Sequence, residues 1–503
     1  DLLIGAVSAE GGPNEETGQG LTYLVAAANL ATADAADGKA DGIVDLGNIA
    51  AQTGSYVFFG EDGFDLSGVS VSSAGDVDGD NKDDFLIGAH NAAGGLNEAI
   101  AQGQTYLVTA ADLGLADSLG GGNGGIDLGL VAGLPNSYVF VGEDAADRSG
   151  ISVSSAGDVD GDNKDDLLIG AYGAKGGPNE ANAQGHTYLV TAADLAAADS
   201  VDGADGIIDL GNIAAQNGSY LFAGANGYDG SGYSVSSAGD VDGDGKDDLL
   251  IGALGAEKAS NSQFGKGHTY LVTAADLAAA DAADADGADG IIDLGNVAAQ
   301  NSSYVFVGED AEDQSGYSVS SAGDVDGDGK ADLLIGAHAA EGGPNEAAGQ
   351  GLSYLVAAAD LAAADAADGK SDGIIELSNV AAQTNSYVFV GEDANDGAGW
   401  SVSSAGDVDG DGKADVLISS IDAEGGPNAV DGQGQTYLVA AADLAAIDEQ
   451  DGKADGVIGL GNTFLEPAGA VVNKVTDDNG PVNGSTKDTT IEISGRAEES
   501  TTI

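Results

Sequence analysis

The stretch SAGDVDGDGKDDLLIGA, residues 237–253, decides the fold. Its opening phrase SAGDVDGD also begins at Ser73, Ser155, Ser321 and Ser404, so the chain repeats itself every 82 to 84 residues. Periods of this kind mark repeat architectures, in which one supersecondary unit is copied and stacked. DLLIGA, which follows the copies with small variations, also stands at Asp1. We therefore expect the chain to enter at the last residue of a sixth loop, with the first and last repeats incomplete. Within a unit, four short apolar runs are separated by Gly, Asp and Asn clusters, the pattern of strands and turns. In the third unit they cover residues 233–237, 249–253, 269–273 and 303–307. Between the third and fourth runs lies AADLAAADAADADGADGIIDLGN. Its Ala-rich start suits one or two helical turns, and the rest reads as loop.

Four antiparallel strands in chain order, repeated in tandem, predict an all-β fold, a β-propeller of four-stranded blades with six units of about 83 residues visible. The alternative is a solenoid, whose common units are only ~20 to 45 residues. Residues Val69, Ile151, Tyr233, Tyr317 and Trp400, each just before SVSS, read as core, and the Tyr and Phe of SYVF, such as Tyr138 and Phe140, as an outer strand.

The composition narrows the partners. Asp and Glu number 84 against 15 Lys and Arg, a formal charge of minus 69 on 503 residues. Nucleic acid and anionic lipid would be repelled, and cations attracted. Such self-repulsion predicts a working medium containing divalent ions, high salt or both, for which sea water is one example. With 42% hydrophobic residues the chain has material for a core. It has no cysteine, hence no disulfide or thiolate metal site. No run of 18 apolar residues occurs, so membrane insertion is not expected.

Each complete loop reads D-V-D-G-D-[NG]-K-[DA]-D, with carboxylates at loop positions 1, 3, 5 and 9. They are Asp76, Asp78, Asp80 and Asp84; Asp158, Asp160, Asp162 and Asp166; Asp240, Asp242, Asp244 and Asp248; Asp324, Asp326, Asp328 and Asp332; and Asp407, Asp409, Asp411 and Asp415. Alternate carboxylates on a tight loop converge on one point, and a set of hard oxygens suits Ca2+. At least five calcium ions are expected. The backbone carbonyl at position 7, always a lysine (Lys82, Lys164, Lys246, Lys330, Lys413), would complete each cage. Position 6 needs a left-handed residue and is Asn81, Asn163, Gly245, Gly329 or Gly412. Position 8 is Asp83, Asp165 and Asp247 but Ala331 and Ala414, so it is not a required ligand. An EF-hand is excluded, because position 12 is isoleucine in every copy where a bidentate Glu would be needed.

Strand, D-x-D-x-D-G-x-x-D loop and L-I-G-A strand together make the units similar to FG-GAP repeats, the blades of the integrin α-subunit propeller and of many bacterial surface proteins. The resemblance covers residues 1–462, taken as one propeller domain, and implies calcium in the loops and, in an intact protein, a ring of as many as seven blades where six units are visible. It departs from the family where Ser67, Ser149, Ser231, Ser315 and Ala398 replace the Phe before Gly, and where His90, Tyr172, Leu254 and His338 replace the Pro of G-A-P. Integrin-type ligand binding is therefore not carried over. Residues 463–503 break the pattern, and VTDDNGPVNGSTKDTTIEISGRAEESTTI resembles the start of a bacterial Ig-like domain as strung along large repetitive RTX-type adhesins. Further Ig-like modules in the same chain are expected.

The functional expectation is a calcium-binding adhesion or interaction module, part of a secreted or surface-attached bacterial adhesin. Its ligand would be a protein or carbohydrate surface, met by loops such as 11–20 and 342–351. The alternative is a non-catalytic accessory propeller of a secreted hydrolase. Catalysis is not expected, since His90, His186, His268 and His338 sit in strand or strand-edge text and no H-E-x-x-H, G-x-S-x-G or P-loop occurs. A second acidic set lies in the inserts, as in Asp34, Asp37, Asp41 and Asp45, or Asp365, Asp368 and Asp372, or Asp117, Asn123 and Asp127. These read as solvated loops, with a second cation site as the sharper alternative.

Overall fold

Short runs of β-branched and aromatic residues become strands here because Gly, Asp and Asn at both ends offer the turns that stop them. The computed structural model describes residues 1–10, 17–37, 39, 42–93, 101–176, 183–257, 265–284, 287–341, 348–423, 433–451, 453–462, 474–476 and 492–494. Among these, strands predominate, grouped into repeated antiparallel sheets, with a few short helices. The four expected runs of the third unit are the strands Ser231–Gly239, Asp248–Ala253, His268–Val272 and Tyr304–Val307. The chain forms two compact units, Asp1–Ala256 with Tyr270–Val305, and Glu257–Thr269 with Phe306–Ile503.

In the first unit, the repeat with loop 158–166 shows the pattern. Ser152–Gly157, Asp166–Ala171, His186–Val190 and Tyr220–Ala223 pair in that order, each antiparallel to the next. The sheets are not the four-stranded, wholly antiparallel ones expected from the sequence. Ile291–Asp293, from the insert of the following repeat, lies parallel to Tyr220–Ala223, and Ile207–Asp209 and Gly125–Asp127 lie likewise on Tyr138–Val141 and Tyr56–Phe59. The SYVF strand would otherwise present unpaired N–H and C=O groups, and a three-residue segment, Gly-Ile-Asp or Ile-Ile-Asp, supplies the partner. The insert is thus mostly structured, in contrast to the loop expected. It also holds the helix Leu195–Asp202, stopped by Gly203 at φ 134, and the 3-10 turn Leu210–Ala215, whose first turn is capped by Asp209 accepting from Gly211 N.

Asp166–Ala171 and His186–Val190 are buried at every position, so both faces of the sheet are covered. Successive side chains point to opposite faces, and each face meets a different neighbour. Leu86, Leu107 and Phe140 cluster with Leu167, Ile169, Tyr188 and Val190 of the next repeat. Phe85, Ile87, Tyr106 and Val108 cluster with Leu24 and Phe58 of the preceding one. Each fully buried Leu, Ile or Phe contributes roughly 1.5–3 kcal/mol, so repeats are held by cores lying between their sheets. A slip of one residue would exchange the two sets.

The second unit repeats this arrangement. Ser318–Gly323, Asp332–Ala337, Leu352–Val356 and Tyr387–Val390 form one sheet, with Val457–Gly459 added in parallel. Ala398–Gly406, Asp415–Ser420 and Gln435–Val439 form another, extended by Lys474–Thr476 through Thr436↔Val475 and then by Glu492–Ser494. Leu334, Leu355 and Phe389 meet Val416, Ile418 and Tyr437 between them. The residues before SVSS are not core: Val69, Ile151, Tyr233 and Tyr317 are half-buried and Trp400 is 37% exposed. In this unit Trp400 instead stacks at the rim on Tyr317 and His338, with ring centroids 4.8 and 5.0 Å away.

Candidate metal centres

The five D-V-D-G-D loops each join the first strand of a repeat to the second, and each brings three carboxylates together. One oxygen from each of Asp76, Asp78 and Asp84 lies within 4.8 Å of the others. The same holds for Asp158, Asp160 and Asp166; Asp240, Asp242 and Asp248; Asp324, Asp326 and Asp332; and Asp407, Asp409 and Asp415. These are loop positions 1, 3 and 9. Position 5 does not join them: Asp162, Asp244, Asp328 and Asp411 accept instead from the position-7 amide at 2.9 Å, and Asp80 pairs with Lys82 Nζ at 2.7 Å.

Local hydrogen bonds explain the convergence. The position-1 carboxylate folds back over its own loop, Asp76 accepting from Gly79 N and Asn81 N, both at 2.8 Å. Asn81 adopts φ 64 and Asn163 φ 68, the left-handed conformation that position 6 requires. The position-9 aspartates begin the second strand and are 0 to 1% exposed. Asp166 Oδ2 accepts from Val159 N at 3.1 Å and Oδ1 from Ala192 N at 2.9 Å, tying the loop to the end of the third strand. Asp84, Asp248, Asp332 and Asp415 make the equivalent pairs of bonds.

Electrostatics set these buried acids apart. Burial pushes Asp166 and Asp248 up to about 7 and Asp84 and Asp332 up to about 6, with the neighbouring loop carboxylates adding and the backbone N–H bonds opposing. The unfolded chain releases these protons near the ordinary 3.8, the folded one only near 6 to 7. Between those values the folded state binds more protons, so the metal-stripped protein should lose stability as pH rises from about 4 to 7. Thermal melts of metal-stripped protein at about pH 5 and pH 7.5 check this, and a higher melting temperature at the upper pH would contradict it. A bound cation would reverse the sign by holding the carboxylates ionised.

The donor set fits a hard divalent cation: three carboxylates per site, no nitrogen or sulfur, and the innermost acid desolvated with only backbone N–H groups to stabilise its charge. The insert acids behave differently. Asp117 Oδ1 accepts from Gly124 N at 2.7 Å, Asp199 Oδ1 from Gly206 N at 2.8 Å and Asp365 Oδ1 from Gly373 N at 2.9 Å, so they close the turn after the insert helix. Among the described residues they join no metal-binding group; Asp41 lies outside those residues. Among the described residues no histidine joins these groups either, and burial lowers His186 and His338 to about 4, which keeps both neutral. Of the expected ligand loops, residues 11–16 and 342–347 lie outside the described residues.

The sequence reading missed the position-7 lysine side chains and the position-8 aspartates. Lys164 Nζ donates to Val77 O and Asp78 O at 3.2 Å, and Asp165 Oδ2 accepts from Asp76 N at 2.8 Å, both across to the preceding repeat. A signal was present, since a carbonyl ligand needs no particular side chain and yet all five loops carry lysine.

Comparison with known families finds three FG-GAP repeats, at residues 149–190, 231–268 and 315–356. Each match runs from the Ser-Gly pair at or just before the first strand, through a loop, to the third strand. No curated protein matches the chain. Among the described residues no helix is long and apolar enough to cross a membrane.

Proposed function

We propose that the chain is a non-catalytic calcium-binding module of β-propeller type, acting outside the cell in a secreted or surface-attached bacterial adhesin. The observation that carries this reading is the fivefold recurrence of a carboxylate triplet within 4.8 Å, in a chain where three FG-GAP repeats are found. Calcium accepts 6–8 oxygens in flexible geometry. The position-5 carboxylate, after a side-chain rotation, and the position-7 carbonyl would extend each triplet toward that number. Extracellular use follows from the charge of minus 69, which millimolar calcium and salt would screen, and from the setting in which such repeats are used. The binding partner is a protein or carbohydrate surface.

Equilibrium dialysis against calcium should find at least five ions per chain, and two or fewer would sink the assignment. Magnesium should compete poorly, because it holds its waters in octahedral geometry. Adhesion is tested separately, by binding of the calcium-loaded chain to immobilised glycans and extracellular proteins. No calcium-dependent ligand in either set would remove the adhesin reading and leave the metal sites.

A further inference from the structure

Three of the triplets, at the loops that begin with Asp76, Asp158 and Asp324, are gripped from outside their own repeat. In the first unit, Asp165 N donates to Asp76 O at 3.3 Å while Asp165 Oδ2 accepts from Asp76 N at 2.8 Å, so one residue holds both sides of position 1 of the earlier loop. Asp247 does the same to Asp158, at 3.3 and 3.0 Å. Beside them Lys164 Nζ caps Val77 O and Asp78 O, and Lys246 Nζ caps Val159 O and Asp160 O at 3.2 and 2.8 Å. Residues 1 to 3 of a loop, which carry two of its three converging carboxylates, are thus fixed by positions 7 and 8 of the next.

Glycine makes the passage for these groups. Gly75 and Gly157, at φ 71 and 74, close the SVSSAG strands, and a Cβ there would stand 2.2 and 2.1 Å from Oδ2 of Asp165 and Asp247. Gly79 and Gly161 lie under the lysine stems, where a Cβ would be 3.2 Å from Cε. The chain also contains its own comparison. In the second unit Lys413 Nζ still reaches Asp326 O and Ala414 N still reaches Asp324 O, both at 2.8 Å, but Ala414 brings no carboxylate. The Asp324, Asp326, Asp332 triplet therefore faces an ammonium without the acid that offsets it in the first unit. Gly323, at φ 72, keeps the space for that acid open.

We propose that Asp165 and Asp247, with Lys164 and Lys246, are positioning residues for the cation of the preceding loop, so that the Asp76 and Asp158 sites are each organised by the repeat that follows and position 8 grades their affinity against that of the Asp324 site. The proposal rests on the calcium reading above. Orienting neighbours of metal ligands typically change affinity 10- to 100-fold when removed.

Chelator-competition calcium titrations on the full chain test it. Asp165→Ala should weaken one site about tenfold or more. In an Asp160→Ala background, where the site of Asp165's own loop is lost, that weakening should persist; in an Asp78→Ala background, where the preceding site is lost, it should vanish. The reverse pattern, equal effects in both backgrounds, or none in either would overturn the proposal. Asp165→Asn keeps an acceptor for Asp76 N and should recover part of the loss, whereas affinity at the alanine level would reduce the effect to charge and remove the positioning role. Ala414→Asp needs no loss of folding to be read: it should tighten one site about tenfold without adding an ion, and unchanged affinity or a further ion counts against us. A wild-type chain taking up two ions or fewer fells the calcium reading and this proposal together. Five ions with the wrong background pattern fells this proposal alone.

Discussion

Stripped of divalent cations and moved to low-salt buffer, the protein is expected to lose its folded sheets near room temperature and to recover them when calcium is returned. Each loop holds three carboxylates within 4.8 Å, with the position-9 acid buried, and adjoins the joint between two strands of a sheet. Without a cation the loop stores repulsion at that joint, on a chain already at minus 69. With calcium at about 100 times its dissociation constant, each site adds ~2.7 kcal/mol by mass action. Several such sites equal the ~5–15 kcal/mol net stability of a typical domain. Sodium chloride should restore only part of the loss, since a Debye length near ~8 Å at ~0.15 M screens the surface but supplies no ligand-bound charge inside the cage. Circular dichroism melts with chelator, with chelator plus salt and with calcium distinguish the contributions. A melting temperature unmoved by chelator would show that the triplets do not hold the fold.

How much of this was legible in the sequence depended on whether a feature is local. The loops were, because 1, 3 and 9 spacing on one short turn leaves the carboxylates little choice but to converge, and Asn81 and Asn163 at position 6 take the left-handed conformation read for them. The strands were, because Gly and Asp stop them. The parallel strand Ile207–Asp209 was not, since its partner Tyr138–Val141 is in the preceding repeat and a three-residue run carries almost no periodicity. Position 5, expected as a fourth converging acid, lies outside the triplets, and its bond to the position-7 amide does not explain why, since position 3 accepts from an amide in the same way and still converges. Apolarity alone makes Trp400 and its counterparts core residues, but it does not say which pleat face a neighbouring sheet will cover.

Gly170→Val is expected to destabilise the calcium-loaded protein by about 3 kcal/mol or more, the upper end of what overfilling a close contact costs. Local preference argues the opposite sign, because Val is favoured over Gly in a strand by up to ~1 kcal/mol. Geometry decides against it. A Cβ on Gly170 would stand 2.0 Å from Gly232 O, and one on Gly88 2.0 Å from Gly150 O, backbone against backbone in both cases. Gly150 N in turn donates to Gly170 O at 3.0 Å, and Gly68 N to Gly88 O at 2.9 Å, so glycines alternate along successive repeats of the first unit in one line of contacts. In the second unit Gly336 stands in the same relation to Gly399 O, at 2.2 Å. No rotamer relieves a clash at Cβ, so neighbouring sheets must separate and open the cores between them. Gly133→Ala is the control: nothing lies within 4 Å of its Cβ, and alanine already stands at the matching Ala51, Ala215 and Ala299. It should be neutral or stabilise by ~0.4–1 kcal/mol through the unfolded state. Urea denaturation at saturating calcium measures both, and a Gly170→Val midpoint equal to that of the wild type would show that the repeats do not depend on this glycine line.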